Sequence, residues 1–417
     1  MRHRLPAVLA TLVVLATLST GVSAGPAATG SPGAVAPTES GASLPVVSVS
    51  NTTGYLALPN GETDEQRDRF GTANVDVAGA AAMESSRFRI RLFRRSTIEA
   101  FRSAPNTSAR TRVLRDAASD LENRSQALRE QQSVALRAYN DGEISTETML
   151  RRLAIVDARA DRLDAAVTQL LQTVGTEPGY TLPTDLRIRI QNSRAEPVVM
   201  QGLVKSTIGN SVSGSGPQQV YVGNTDESLV LARIGGGRYV REAYVASAQG
   251  GPGPDRFRAS EQYPVSAALE RAQVLYPWAF DNRISTRRAR GIGLTPIYRF
   301  TIDHSHGQLD IYLDGRTNQT FREIQDERIS RLPVGETVTR ETENLTIRAN
   351  TTHPTGPMEV TVRDPELNAT VDARISIDGT PVGRTGSDGS LWTIRPNGLP
   401  VINASTADHS AELTVGA

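Results

Sequence analysis

The chain has no cysteine and a single lysine, Lys205, in 417 residues. Without cysteine it can form no disulfide and carry no thiol-linked lipid, so stability must come from packing and polar contacts. Aromatic residues make up 5% and apolar residues 38% of the chain, which predicts modest cores. Charge of either sign is not in excess: 45 basic residues face 45 acidic ones. Residues 62–176 hold 18 basic and 17 acidic groups, residues 177–333 hold 19 and 16, and residues 334–417 hold 6 and 11. No segment has the one-sided excess needed to grip nucleic acid, so no nucleic-acid partner is expected. Almost all positive charge is arginine, which stays ionised and pairs bidentately with carboxylates.

Catalytic signatures are also missing. The sequence contains neither G-x-S-x-G nor H-E-x-x-H, and only five histidines. His3 lies in the N-terminal segment, and His353 and His409 stand alone. No nucleophile with an adjacent base can be picked out. No catalytic residue, no cofactor-binding residue and no cofactor are expected. A hydrolase acting through paired carboxylates stays an alternative, because the many acidic residues allow many pairs.

The first 24 residues have the layout of a secretory signal. Arg2, His3 and Arg4 precede an apolar run from Leu5 to Leu18, and Val22-Ser23-Ala24 supplies the small residues a signal peptidase needs. Cleavage is expected after Ala24. If uncleaved, residues 5–24 would be a membrane anchor, since they approach spanning length. The paired arginines of the folded-protein route are absent, which favours the general secretory route to the extracellular space or cell surface. Residues 25–44 are mostly Gly, Pro, Ala, Ser and Thr and read as a disordered spacer. Eight of the 16 asparagines start N-x-S/T sequons: Asn51, Asn106, Asn123, Asn318, Asn344, Asn350, Asn368 and Asn403. That is more than chance gives at this Ser and Thr content, and it fits a glycosylated surface.

Residues 45–176 read as a strand followed by helices. Leu114, Leu121, Leu128 and Ala135 recur every seven residues. After Asn140-Asp141-Gly142, Ser145 is a good N-cap. A second seam follows: Met149, Leu153, Val156, Ala160, Leu163, Val167, Leu170 and Val174. Steps of four and three are the coiled-coil period, so an antiparallel helical hairpin is predicted. One hairpin needs a third partner. Ala80–Ser103 is read as that helix, although Phe88, Ile90 and Leu92 alternate with arginines like a strand. A homodimer through the hairpin is the other way to cover the seam.

In residues 177–333 the period changes to two. Leu186, Ile188 and Ile190 read as a strand, as do 220–222, 228–234 and 239–245, with Gly235-Gly236-Gly237 as a hairpin turn. Pro264–Tyr276 reads as a helix. Tyr298, Phe300 and Ile302, then Leu309, Ile311 and Leu313, mark two more strands, and Asp314-Gly315 turns into a third. This predicts an α+β antiparallel sheet domain. His304 and His306 would share a strand face and are weak metal candidates, with no third ligand nearby. The run Ala267-Ala268-Leu269, Ile297-Tyr298-Arg299-Phe300 and Leu309 to Thr317 resembles a PepSY-type module. Asn318 stands where that family usually has glycine. Such modules are non-catalytic and accompany or inhibit secreted proteases, so the resemblance implies a binding role.

Residues 334–417 carry about seven short alternating strands, with tight turns at Asp378-Gly379 and Asp388-Gly389, and predict a β-sandwich. Val371–Pro396 resembles the carboxypeptidase-regulatory-like sandwich, a transthyretin-like, non-catalytic extracellular module. The whole is thus expected to be a multidomain α+β protein. Asn51 to Pro59, Tyr139 to Ser145 and Leu275-Tyr276-Pro277-Trp278 resemble uncharacterised exported proteins of halophilic archaea. The functional expectation is a non-enzymatic secreted or cell-surface glycoprotein, an interaction or structural module of the envelope with a protein partner there. A regulator of an extracellular protease is the alternative.

Overall fold

The computed structural model describes residues 46–59, 67–225 and 228–416. The export segment and the spacer up to residue 44 lie outside the described residues.

The hairpin β1 (Val46–Val49) and β2 (Thr52–Leu56) comes first, then β3 (Arg67–Ala73). Three long helices follow: α1 (Val77–Ser103), α2 (Thr107–Asn140) and α3 (Thr146–Gly175). Each starts at a side-chain cap. Asp76 accepts from the Gly79 amide at 2.7 Å, Asn106 from Ala109 at 2.9 Å and Ser145 from Thr148 at 3.3 Å. Such caps satisfy amides that the helix leaves without partners. Every residue of the two predicted seams is buried. The seams are filled from within the chain, by α1 and by two short helices, α5 (Ala195–Met200) and α6 (Leu203–Val212).

One expected strand is a helix. Residues 184–192 form α4 (Thr184–Asn192). Leu186 and Ile190 are both buried, one helical turn apart, while Ile188 is only half-buried. Three apolar residues in a five-residue window fit either period, and the neighbouring bundle decides for the helix.

The middle of the chain forms one eight-stranded antiparallel sheet. Its strands are β3, β4 (Gln218–Asn224), β5 (Ser228–Gly235) and β6 (Arg238–Val245). The other half is β7 (Arg283–Gly291), β8 (Ile297–His304), β9 (Gly307–Asp314) and β10 (Gln319–Arg328). The order is β3-β4-β5-β6-β10-β9-β8-β7. Gly236 and Gly237 turn β5 into β6 with φ of 60° and 70°, the left-handed pair that a two-residue hairpin requires. Asn318 has φ 63° before β10, a conformation asparagine tolerates in place of glycine. β7 gave no sequence signal, because eight positions in Arg283–Arg290 carry only Ile284 and Ala289 as apolar groups. Helices α1, α3 and α6 cover one face of β3–β6. Helices α7 (Pro264–Leu275) and α8 (Pro277–Asp281) cover the opposite face of β8 and β9.

The C-terminal strands are β11 (Glu336–Glu341), β12 (Thr346–Thr351), β13 (Pro357–Asp364), β14 (Ala369–Thr370), β15 (Arg374–Ile377), β16 (Thr380–Arg384), β17 (Ser390–Ile394), β18 (Val401–Ser405) and β19 (Ser410–Thr414). They make two antiparallel sheets, β11-β12-β13-β14 with β17 on β13, and β16-β15-β18-β19. Alternating residues such as Ile347, Val360, Ile375 and Ile402 fill the space between them. This is a β-sandwich, as its alternation predicted.

The sheet is joined at its centre by buried charge. β6 carries Arg241-Glu242 and β10 carries Arg322-Glu323, and each dipeptide points its two side chains to opposite faces. On one face Arg241 Nη1 meets Glu323 Oε1 at 2.8 Å. Arg241 also donates to the Leu56 carbonyl of β2 at 2.7 Å and to Thr355 of the sandwich at 3.2 Å. Glu323 Oε2 accepts from the Leu56 amide at 2.8 Å and the Tyr276 hydroxyl at 2.7 Å. On the other face Arg322 lies 3.5 Å from Glu242 and donates to the carbonyls of Val199 and Gln201. Glu242 accepts the Val204 and Lys205 amides at 2.5 and 2.9 Å and so caps α6. Asp157 of α3 accepts the Gly202 amide at 2.7 Å. Burial drives Asp157 up and Lys205 down from their ordinary values.

Removing one member strands the other in the core. Arg241→Met should destabilise the fold by about 3–5 kcal/mol, and Arg241→Met with Glu323→Gln should recover part of that loss, both read by urea denaturation. A second outcome concerns pH. Burial, then Glu323 and Asp326, raise Glu327 from 4.5 to about 8. The folded state therefore holds this proton where the unfolded chain releases it. The resulting stability is complete below 4.5 and is lost as pH rises to about 8. The melting temperature should fall across that window, and Glu327→Gln should flatten the fall.

Candidate functional site

Glu323, Glu242 and Asp157 accept amide or hydroxyl protons from fixed neighbours. His353 is pushed down to about 3 by burial and stacks on Tyr55 at 4.5 Å between centroids. The two metal candidates, His304 and His306, lie where β8 turns into β9. Burial lowers His304 to about 4, and its Nε2 is 3.9 Å from Glu327 Oε1. His306 Nδ1 is 3.1 Å from the Thr52 hydroxyl, and Trp278 packs against both rings at 5.5 and 4.5 Å. The structure thus brings the pair together with Trp278, Thr52 and Glu327. Among the described residues no group of three or more His, Asp or Glu is placed to hold a metal ion.

A different surface gathers chemistry that the sequence scattered. Helix α1 carries Arg87-Phe88-Arg89-Ile90-Arg91-Leu92-Phe93-Arg94-Arg95. The helix turns Ser86, Ile90, Phe93 and Thr97 toward the bundle and leaves Phe88 65% and Leu92 55% exposed on its crest. A groove beside the crest, between α1, α2 and α3, has a volume of about 200 Å³ and is lined by Arg89, Arg124 and Arg159. On the other side Arg87, Arg91, Arg94 and Arg162 line a second groove between α1 and α3. With Arg95, eight arginines surround two exposed apolar side chains.

Few carboxylates answer them. Glu84 lies 3.5 Å from Arg87, Asp120 4.0 Å from Arg124 and Asp161 3.4 Å from Arg162. Arg159 is held by neutral groups, Ser86 Oγ at 2.9 Å and Gln131 Oε1 at 2.5 Å. Burial, then Arg89, lowers Arg159 from the usual arginine value, yet a guanidinium keeps its charge. Arg91, Arg94 and Arg95 have no ion-pair partner among the described residues. The segment count of 18 basic to 17 acidic groups conceals this, because a count over 62–176 does not say which of its charges the fold brings together. The signal in the sequence is the run of five arginines in the nine residues 87–95.

Of the sequon asparagines, Asn51, Asn106, Asn123, Asn344 and Asn368 are exposed, while Asn318, Asn350 and Asn403 are half-buried. Asn350 is also held by Thr337, Arg348 and Glu359. Glycopeptide mass analysis of the native protein should find sugar on the five exposed sites first; a protein whose intact mass equals the bare chain would overturn the sequon reading.

Three family models match in series. Residues 1–216 match a domain of unknown function, DUF7096; residues 220–333 match a family of unknown function, DUF7094; residues 336–413 match an archaeal fibronectin-III type-like domain. No curated protein and no solved structure matches the chain. The first model, covering the bundle and its arginine crest, spans more than half of the sequence. The chain is an archaeal multidomain protein with a C-terminal β-sandwich, and it belongs to the DUF7096 family.

Proposed function

We propose that this protein is a non-enzymatic, exported interaction module of the cell envelope, and that its helical bundle lies against an anionic lipid surface. The observation that carries this reading is the α1 crest, where Phe88 and Leu92 stand exposed among eight arginines that only three nearby carboxylates answer. An interfacial helix buries apolar side chains at the level of the headgroups while its arginines reach the phosphates. The secretory layout of residues 1–24 and the exposed sequons support an outside location. The fixed amide, hydroxyl and guanidinium partners of Glu323 and Glu242 support a non-catalytic role.

Arg299 and Tyr298 lie in the part of the chain that resembles a PepSY-type module, and a protease-regulating role is a second reading. It is favoured by the turn after β9, where Asp314 accepts the Arg316 amide at 2.6 Å and Thr317 donates to the Ala248 carbonyl at 2.7 Å. Recovery of a protease with the protein from culture medium would support it. A resemblance to exported proteins of halophilic archaea fits both readings.

Sedimentation with vesicles tests the lipid reading. The protein should bind phosphatidylglycerol vesicles and leave phosphatidylcholine vesicles in solution, with binding weakened by salt. Reversing Arg87, Arg91 and Arg95 to glutamate should weaken binding about a hundredfold or more, at roughly 1 kcal/mol per arginine. Phe88→Ala should weaken it with little change in melting temperature, since the ring is exposed. Equal binding to both vesicle types would sink the proposal.

A further inference from the structure

The eight-stranded sheet has one covered end and one open end. At the covered end, Asp68 of β3 accepts the Asn397 amide of the sandwich at 2.8 Å, and Gln219 of the adjoining β4 donates to the Pro381 carbonyl at 3.3 Å. At the other end β7 pairs only with β8. Its nine residues are exposed except Arg288 and Gly291, which are half-buried. A free edge offers a row of unpaired amides and carbonyls along its length.

The charge on this edge is one-sided. β7 carries Arg283, Arg287, Arg288 and Arg290 and no acidic residue. Arg287 is met by Asp303 of β8 at 2.6 Å. Arg288 and Arg290 have no ion-pair partner among the described residues. At its C-terminal end β7 opens into a pocket of about 240 Å³, lined by Arg194, Val198, Arg290, Ile292 and Arg299. Arg194 and Arg299 are held in place by Asp164 at 2.6 Å and Asp310 at 2.9 Å. The Nε of Arg299 is buried and has no hydrogen-bond partner. Arg290 is pressed by burial first, then by Arg288, Arg194 and Arg299, all of which lower it. The pocket therefore has fixed guanidinium groups and an uncompensated positive charge, a pattern suited to a carboxylate.

We propose that the β7 edge receives an extended acidic segment of a partner protein as a ninth strand, with one of its carboxylates seated between Arg290 and Arg299. Backbone pairing would supply affinity and the arginines would select the partner. A second copy of this chain is a poor occupant, because antiparallel self-pairing sets four arginines against four. Two bulges, between Arg283 and Ser285 and between Thr286 and Arg288, add twist that further discourages a flat self-pair. This surface is separate from the bundle crest, and it stands whether or not the crest meets lipid.

The test uses the full chain and a labelled nine-residue peptide alternating glutamate with valine or threonine. Fluorescence anisotropy should show salt-sensitive binding of this peptide and none of its lysine counterpart. Arg290→Glu should weaken binding about tenfold or more, with little change in melting temperature because the side chain has no ion pair to lose and stands among other arginines. Hydrogen exchange at residues 283–291 should slow on binding, which simple ion pairing would not produce. The proposal is overturned if those amides stay unprotected, or if Arg290→Glu binds as well as the parent. Tighter binding of a single-stranded oligonucleotide than of the peptide would also overturn it, in favour of a phosphate backbone as the ligand.

Discussion

Two crossed ion pairs set the geometry of the molecule. Arg241 with Glu323 and Arg322 with Glu242 sit on opposite faces of the same strand pair, and each arginine takes the glutamate of the other strand. Such pairs add little net stability over apolar residues, because burial of both charges costs nearly what their attraction returns. Their effect is on choice. A slip of one residue between β6 and β10 would turn every side chain to the wrong face. It would leave four charges in the core without partners. The pairs also reach outward, so that the β1–β2 hairpin, the Tyr276 corner, the α6 terminus and the sandwich loop at Thr355 are all fixed to one line through the sheet.

The parts of the fold that are local were legible. Heptad spacing marked α2 and α3. A Gly-Gly pair marked the tight hairpin at 236–237 and an Asp-Gly pair the one at 378–379, where Asp378 and Gly379 both have positive φ. Alternation marked the sandwich. What failed to show was set by distant neighbours. Leu186, Ile188 and Ile190 fit a strand until the bundle claims Leu186 and Ile190 together. β7 escaped because a strand exposed on both sides need not alternate. The repeated Arg-Glu dipeptide was visible at 241–242 and 322–323, but only the register of β6 on β10 gives it meaning.

Surface charge follows the same logic. A chain with no net charge has still sorted its ions, since many carboxylates are used in helix caps and buried pairs while arginines collect on α1 and β7. Asp76 caps α1 and Glu242 caps α6. Charge balance over a segment therefore says little about the field a partner meets. That is why the crest and the edge, the two surfaces best suited to binding, came from geometry and not from composition.

The place of β3 has a consequence in time. It ends at Ala73, and its partner β4 begins at Gln218 with all six bundle helices between them. During synthesis at about 5–20 residues per second, β3 waits roughly seven to thirty seconds before β4 exists. Meanwhile the bundle can close, and once α1 and α6 are packed together, Asp76 bonds to the Val212 carbonyl at 3.0 Å. That contact brings the two ends of a long detour side by side. The slow search for a remote strand partner then becomes a short closure at the foot of a finished bundle.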